Sequence, residues 1–100
     1  MNPTKKIESV DQKKFFLLLS EFEQLEKFWN RDELECDPDA IDEFLLIASR
    51  GEAVGVRCLV SIWSHTCRNG YLAVSMSDLG SLSDPWRTAL AGWIAEPFWP

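Results

Sequence analysis

The chain is short of the signals that mark a secreted, membrane-bound or catalytic protein. It has three cysteines, Cys36, Cys58 and Cys67, which cannot all pair with one another and form no CxxC motif, so reduced thiols in a cytosol are expected. No apolar run approaches the roughly 18 residues that a membrane span requires. The opening stretch MNPTKKIESVDQKK lacks the apolar core and cleavage site of a signal peptide. A cytoplasmic protein without a membrane anchor is therefore expected. No repeat, low-complexity run or linker divides the chain, so residues 1–100 should form a single domain, with residues 1–8 as a flexible N-terminus.

Catalytic constellations are equally scarce. Ser61 and His65 lie four apart, a spacing that a nucleophile and its base can use on one helical face, but no Gly-rich elbow or orienting acid accompanies them. Cys58, His65 and Cys67 are metal-ligand types. His65 and Cys67, only two apart, would point about 200 degrees away from each other on a helix, so no metal and no cofactor is expected. Carboxylates are plentiful, yet a solvated run of them offers no desolvation to separate an acid from a base. The chain reads as a non-enzyme.

What is present is a folded composition, 46% hydrophobic and 26% charged, in a chain long enough for one core without a metal or disulfide staple. The formal net charge of -6 is unevenly placed. Residues 1–19 have four lysines against two acids, residues 20–43 have ten acids against Lys27 and Arg31, and four acids balance four arginines in the rest. One contiguous segment supplies the acidity, and the domain should repel a bare phosphate backbone, so direct nucleic-acid binding is disfavoured.

The periodicity predicts an all-α fold, a compact bundle of four to five helices. Ser9 and Gln12 have the spacing of a capping box, and Phe15, Leu18, Phe22, Leu25 and Trp29 recur on one stripe, which predicts a first helix from Ser9 to Asn30. Asp37 is placed as an N-cap with Pro38 at the first helical position, followed by a buried face of Ile41, Phe44, Leu45 and Ala48 and a stop at Gly51. A third helix over 52–68 buries Val56, Leu59, Val60, Trp63 and Cys67, and ends at Asn69-Gly70. Residues 71–74 read either as a short extended piece or as a turn, and the turn is favoured, with Ser75 and Asp78 capping one helical turn. Asp84-Pro85 repeats the cap-then-proline pattern before Trp86, Leu90, Trp93 and Ile94, and Pro97 closes the last helix.

The stretch RDELECDPDAIDE holds seven carboxylates after Arg31: Asp32, Glu33, Glu35, Asp37, Asp39, Asp42 and Glu43. Asp37 and Asp39 sit at the positive end of the second helix, where each contributes about 0.3 to 1 kcal/mol. Asp39 and Glu43 repel at i, i+4, and Asp32, Glu33 and Glu35 follow the negative end of the first helix, so fold stability does not account for the rest. A solvated surface is one explanation. The other is a contact face of Glu21, Glu26, Asp32, Glu33, Glu35, Asp39, Asp42 and Glu43 for a basic protein groove. Among five tryptophans, Trp29, Trp63, Trp86 and Trp93 fall on buried faces; Trp99, in EPFWP beyond the last helix, either folds back with Phe98 or serves as a binding anchor.

The stretches AIDEFLLIAS, RCLVSIWSHTC and MSDLGSLSDPWRTALAGWI, over residues 40–95, resemble small helical proteins of plasmids, integrative elements and prophages. In size and acidity the whole resembles the anti-CRISPR proteins that block type I surveillance complexes, type I-F inhibitors among them. The resemblance implies a stoichiometric inhibitor, a DNA mimic from a phage or mobile element, whose partner is a basic surface of a host protein or CRISPR surveillance complex. It carries over no functional residue. The expected state is a monomer, with a homodimer as the alternative. Two other functions compete: a structural or regulatory module that self-associates through the first helix, and a DNA-binding regulator that places the third or last helix in a groove.

Overall fold

In the computed structural model, which describes residues 6–64 and 74–100, the first helix ends at Leu19, eleven residues before the expected end at Asn30. Helix α1 spans Val10–Leu19 and opens with the expected capping box: the Gln12 amide donates to Ser9 Oγ at 3.0 Å and the Ser9 amide to Gln12 Oε1 at 2.8 Å. At its end the Ser20 hydroxyl donates to the Leu17 carbonyl at 2.6 Å, a local bond that competes with continuation of the helix. A 3-10 helix follows over Glu23–Phe28. Its three residues per turn align Phe22, Leu25 and Phe28, and all three are buried. The stripe is core as expected, but beyond Leu19 the buried row Phe22, Leu25 and Phe28 follows a period of 3.0 and not 3.6.

The chain then makes an antiparallel hairpin, β1 (Trp29–Asn30) and β2 (Glu35–Cys36), in the register Trp29 to Cys36 and Asn30 to Glu35. The all-α expectation is corrected here: the domain is mostly helical, with a small two-stranded sheet. Asn30 Oδ1 accepts the Glu33 amide at 3.1 Å inside the turn, and Leu34 closes it at φ 54°, a left-handed conformation that is uncommon for a side chain of this size. The Asp37 amide donates to the Phe28 carbonyl at 2.8 Å and extends the pairing to the next helix.

Helix α2 (Pro38–Leu45) begins as expected, with Asp37 Oδ1 accepting the Ala40 amide at 3.1 Å and Pro38 in the first turn. Gly51 is not its stop. The glycine lies in the first turn of α3 (Arg50–Ser64), where a Cβ would stand 2.7 Å from the Ser81 carbonyl oxygen. The true start of α3 is a capping box of Ser49 and Glu52, each accepting the other's amide, at 3.2 and 2.9 Å. Val54, Val56, Cys58, Leu59, Val60 and Ile62 are buried on α3, which is the centre of the core. Gly55 is there because the Trp86 ring lies on the helix: a Cβ would meet it at 2.6 Å. The Asn69-Gly70 stop and most of residues 71–74 lie outside the described residues.

One turn of helix, α4 (Met76–Leu79), is capped by Ser75 and Asp78 as the spacing predicts. The last helix, α5 (Asp84–Ala95), has its N-cap one residue before the expected Asp84: Ser83 is the N-cap, and Asp84 in the first turn pairs with Arg87. Leu90 is buried and Trp86 and Trp93 are half-buried, whereas Ile94, expected inside, is exposed. The aromatic side chains join the elements. Phe15 lies 4.9 Å from Trp63 and 5.4 Å from Trp29 between ring centres, and Phe22 lies 5.0 Å from Trp86.

Candidate functional site

The fold divides the acidic run into two parts that differ in their surroundings. The hairpin holds Asp32, Glu33 and Glu35, with Glu33 half-buried and the other two exposed. Cations are close to it. Lys6 Nζ lies 4.0 Å from Glu35 Oε1, and the Lys6 amide donates to the Asp32 carbonyl at 3.1 Å. Lys27, Arg31, Asp32, Glu35 and Asp37 line one open groove. Arg31, the only base within the run, grips Glu8 with two bonds of 2.8 and 2.6 Å while its guanidinium rests 5.1 Å from the Phe16 ring centre. Glu8 holds the guanidinium pKa above its usual value, chiefly through that hydrogen bond. Lys27 is placed over the Phe28 and Phe44 rings, at 5.4 and 5.9 Å. Of the hairpin acids, Glu35 has Lys6 in reach, while Glu33 forms no ion pair with any described residue, and the Lys6 and Glu8 contacts fasten residues 6–8 to the domain.

The α2 acids have a different setting. Ile41 is 0% exposed and anchors the inner face of α2, with Phe44, Leu45 and Ala48 half-buried beside it. The outer face then consists of Asp39, Asp42, Glu43 and Leu46, at helical steps of 0, 3, 4 and 7. All four are exposed, and Asp39, Asp42 and Glu43 form no ion pair with any described residue. Leu46 and the next residue, Ile47, are 85% and 84% exposed. Two adjacent aliphatic side chains open to solvent at the end of an acidic helix face were not foreseen. The signal was legible in DEFLLI, because a helix that buries Ile41, Phe44 and Leu45 must turn Leu46 outward.

Glu21 and Glu26, grouped with these acids by sequence position, lie elsewhere along the chain. Both are exposed; Glu26 is on the 3-10 helix, and Glu21 lines an open groove of about 550 Å³ with Glu23, Glu52, Ser49, Ser81 and Trp86. Trp99 folds back: its amide donates to Asp11 Oδ2 at 3.3 Å and its ring meets Trp93 edge-on at 5.2 Å, while Trp93 Nε1 donates to the Phe98 carbonyl at 3.0 Å. Even so, 52% of Trp99 stays exposed.

The remaining nucleophiles are quiet. Burial, and then the nearby charge of Asp78, pushes the Cys58 thiol up to about 11, and burial raises the Cys36 thiol, so neither supplies a thiolate at neutral pH. Ser61 is half-buried against an apolar recess with Ile62, Leu90 and Trp93, and His65, four positions on, lies outside the described residues, as does Cys67. Among the described residues no three His, Cys, Asp or Glu side chains gather as metal ligands, and no helix is long and apolar enough to cross a membrane. Compared with known proteins, the chain matches no family, no curated relative and no solved structure.

Proposed function

We propose that the protein acts by binding, without catalysis, and that the outer face of α2 is its contact with a basic protein surface of the kind that handles nucleic acid. The supporting observation is the row Asp39, Asp42, Glu43 and Leu46, extended by Ile47: carboxylates without ion-pair partners among the described residues, beside an exposed aliphatic pair. Protein interfaces combine such parts, an apolar centre that excludes water and a charged margin that steers and orients the partner. The overall negative charge opposes direct contact with phosphate, and α3, a candidate groove-reading helix, turns most of its sides into the core. The narrower proposal, drawn from the resemblance to anti-CRISPR proteins, is that the partner is a CRISPR surveillance complex and that binding excludes target DNA.

The test is competition. A purified type I surveillance complex is titrated with the protein, and retention of target DNA is read by mobility shift. DNA should be released as the protein is added, and Asp42→Lys with Glu43→Lys should weaken that release by about a hundredfold. Full DNA binding at saturating protein would reject the surveillance-complex partner. Equal potency of wild type and double variant would reject α2 as the contact.

A further inference from the structure

The outer face of α2 has a complement on the same chain. On α1 the inner positions Phe15, Phe16, Leu18 and Leu19 are buried, and the outward row is Val10, Lys13, Lys14 and Leu17, again at steps of 0, 3, 4 and 7. Val10 and Leu17 are 68% and 69% exposed. Lys13 and Lys14 form no ion pair with any described residue, like the three acids of α2. One helix thus presents two lysines between two aliphatic residues, and the other presents three carboxylates ending in two aliphatic residues.

We propose that a second copy of this chain covers these faces, with α1 of one protomer lying against α2 of its partner. If the two helices run in the same direction, Lys13 and Lys14 come level with Asp42 and Glu43, and Leu17 with Leu46; if they run in opposite directions, the lysines still meet the acids and Val10 comes level with Leu46. A two-fold arrangement would use each face once per protomer. Exposed ion pairs contribute little one by one, so the four aliphatic side chains supply the burial and the charges supply register and choice of partner. This goes beyond the function proposed above: the second copy occupies the same α2 face, so self-association and capture of a foreign basic surface exclude each other.

The charge pattern permits a decisive exchange experiment on the pure protein. Light scattering over rising concentration at low salt should show the mass climbing from 11.5 kDa to twice that value, with the climb shifted to higher concentration near 0.5 M salt, where screening shortens to roughly 4 Å and removes the charges' share of the affinity. The double variants Lys13→Glu with Lys14→Glu and Asp42→Lys with Glu43→Lys should each remain at 11.5 kDa, since each sets like charges against like. Mixed in equal amounts they should recover the doubled mass, because every contact in the mixed pair is again between opposite charges. A wild type that stays monomeric at about millimolar concentration, a dimer indifferent to both reversals, or a mixture that fails to reassociate would each overturn the proposal. The wild-type salt series needs no variant, so misfolding of a variant does not spare the idea. Because Lys13→Glu with Lys14→Glu leaves α2 intact, that variant should still release DNA in the competition assay, which keeps the two proposals separable.

Discussion

Seven carboxylates stand within thirteen residues, yet the hairpin half and the α2 half of that run solve opposite problems. Around the hairpin, Lys6, Lys27 and Arg31 gather near Asp32 and Glu35; Lys27 also lies over two rings and Arg31 is held by Glu8 and a ring, so much of that charge is spent locally on fastening the N-terminal residues and the turn. On α2, Asp39, Asp42 and Glu43 sit beside exposed Leu46 and Ile47, with no cation among the described residues in ion-pair reach. The difference teaches that a count of acids is a poor guide to a binding face. What separates the two halves is whether the fold brings counter-charges to them, and only tertiary structure decides that.

The sharpest way to break this comparison is to contrast the two sides of α2 itself. Ile41→Ala removes a side chain with no exposed surface and should cost about 2 to 5 kcal/mol of stability. Leu46→Ala, on the outer side, should change stability by less than about 0.5 kcal/mol. Urea unfolding of both variants checks the pair of outcomes. Equal losses would mean that Leu46 is structural and that α2 has no free face.

Next in size is a comparison of charge reversals in the two halves. Glu33→Lys with Glu35→Lys removes the Lys6 partner and places a new cation at position 35 in the groove with Lys27 and Arg31, so the melting temperature should fall by a few degrees, while potency in the DNA-release assay should change less than about tenfold. The α2 reversal should show the opposite pattern, with an unshifted melting temperature and the roughly hundredfold loss in potency. If the hairpin variant loses as much potency as the α2 variant, the whole run is one contact surface and the division drawn here fails.

A smaller effect separates Asp37, which lies between the halves, from its neighbours. As the N-cap of α2 it accepts the Ala40 amide, so Asp37→Ala should cost about 0.5 to 2 kcal/mol, and Asp37→Ser should recover most of it. Thermal melts of the two variants decide between a capping role and a charge role, because serine restores the hydrogen bond without the charge.

How much of this was legible in advance depended on how local the physics was. Ser9 with Gln12, Asp37 with Pro38 and Ser75 with Asp78 could be read directly, because a cap involves four residues and no partner from elsewhere. The Ser49 and Glu52 box is as local but is masked by Gly51, which imitates a helix stop; the glycine's real reason, the Ser81 carbonyl, is thirty positions away. The break after Leu19 was hidden for another cause. Phe22, Leu25, Phe28 and Trp29 satisfy a 3.6 period and a 3.0 period equally well over so short a window, and the hairpin that settles the matter has strands of two residues, too short to show alternation. As for the site, the acids were visible but not their division, since Lys6 and Glu8 reach the hairpin from more than twenty residues away.

The smallest effect concerns an acid whose structural role is the counterpart of the free α2 row. Asp78 accepts the Ser75 amide at 2.9 Å and the Arg50 guanidinium at 3.0 Å, tying α4 to the first turn of α3. The Ser75 backbone bond, followed by the Arg50 bond, holds its carboxyl below the ordinary aspartate value. A folded-state pKa below the unfolded one means that, in the window between them, the unfolded chain binds the proton more readily. Stability from this group is therefore complete above the unfolded value and is lost as pH falls through the folded one. Asp78→Asn removes the titration while keeping an acceptor for the Ser75 amide, so its melting temperature should lie below that of wild type at pH 6 and converge on it as the pH drops below the ordinary aspartate value. Melting curves of the two proteins from pH 7 to pH 3 make the measurement. A constant gap between Asp78→Asn and wild type would show that the Arg50 and Ser75 bonds do not depend on the charge of Asp78, and would remove the contrast between acids that hold the fold and acids that face outward.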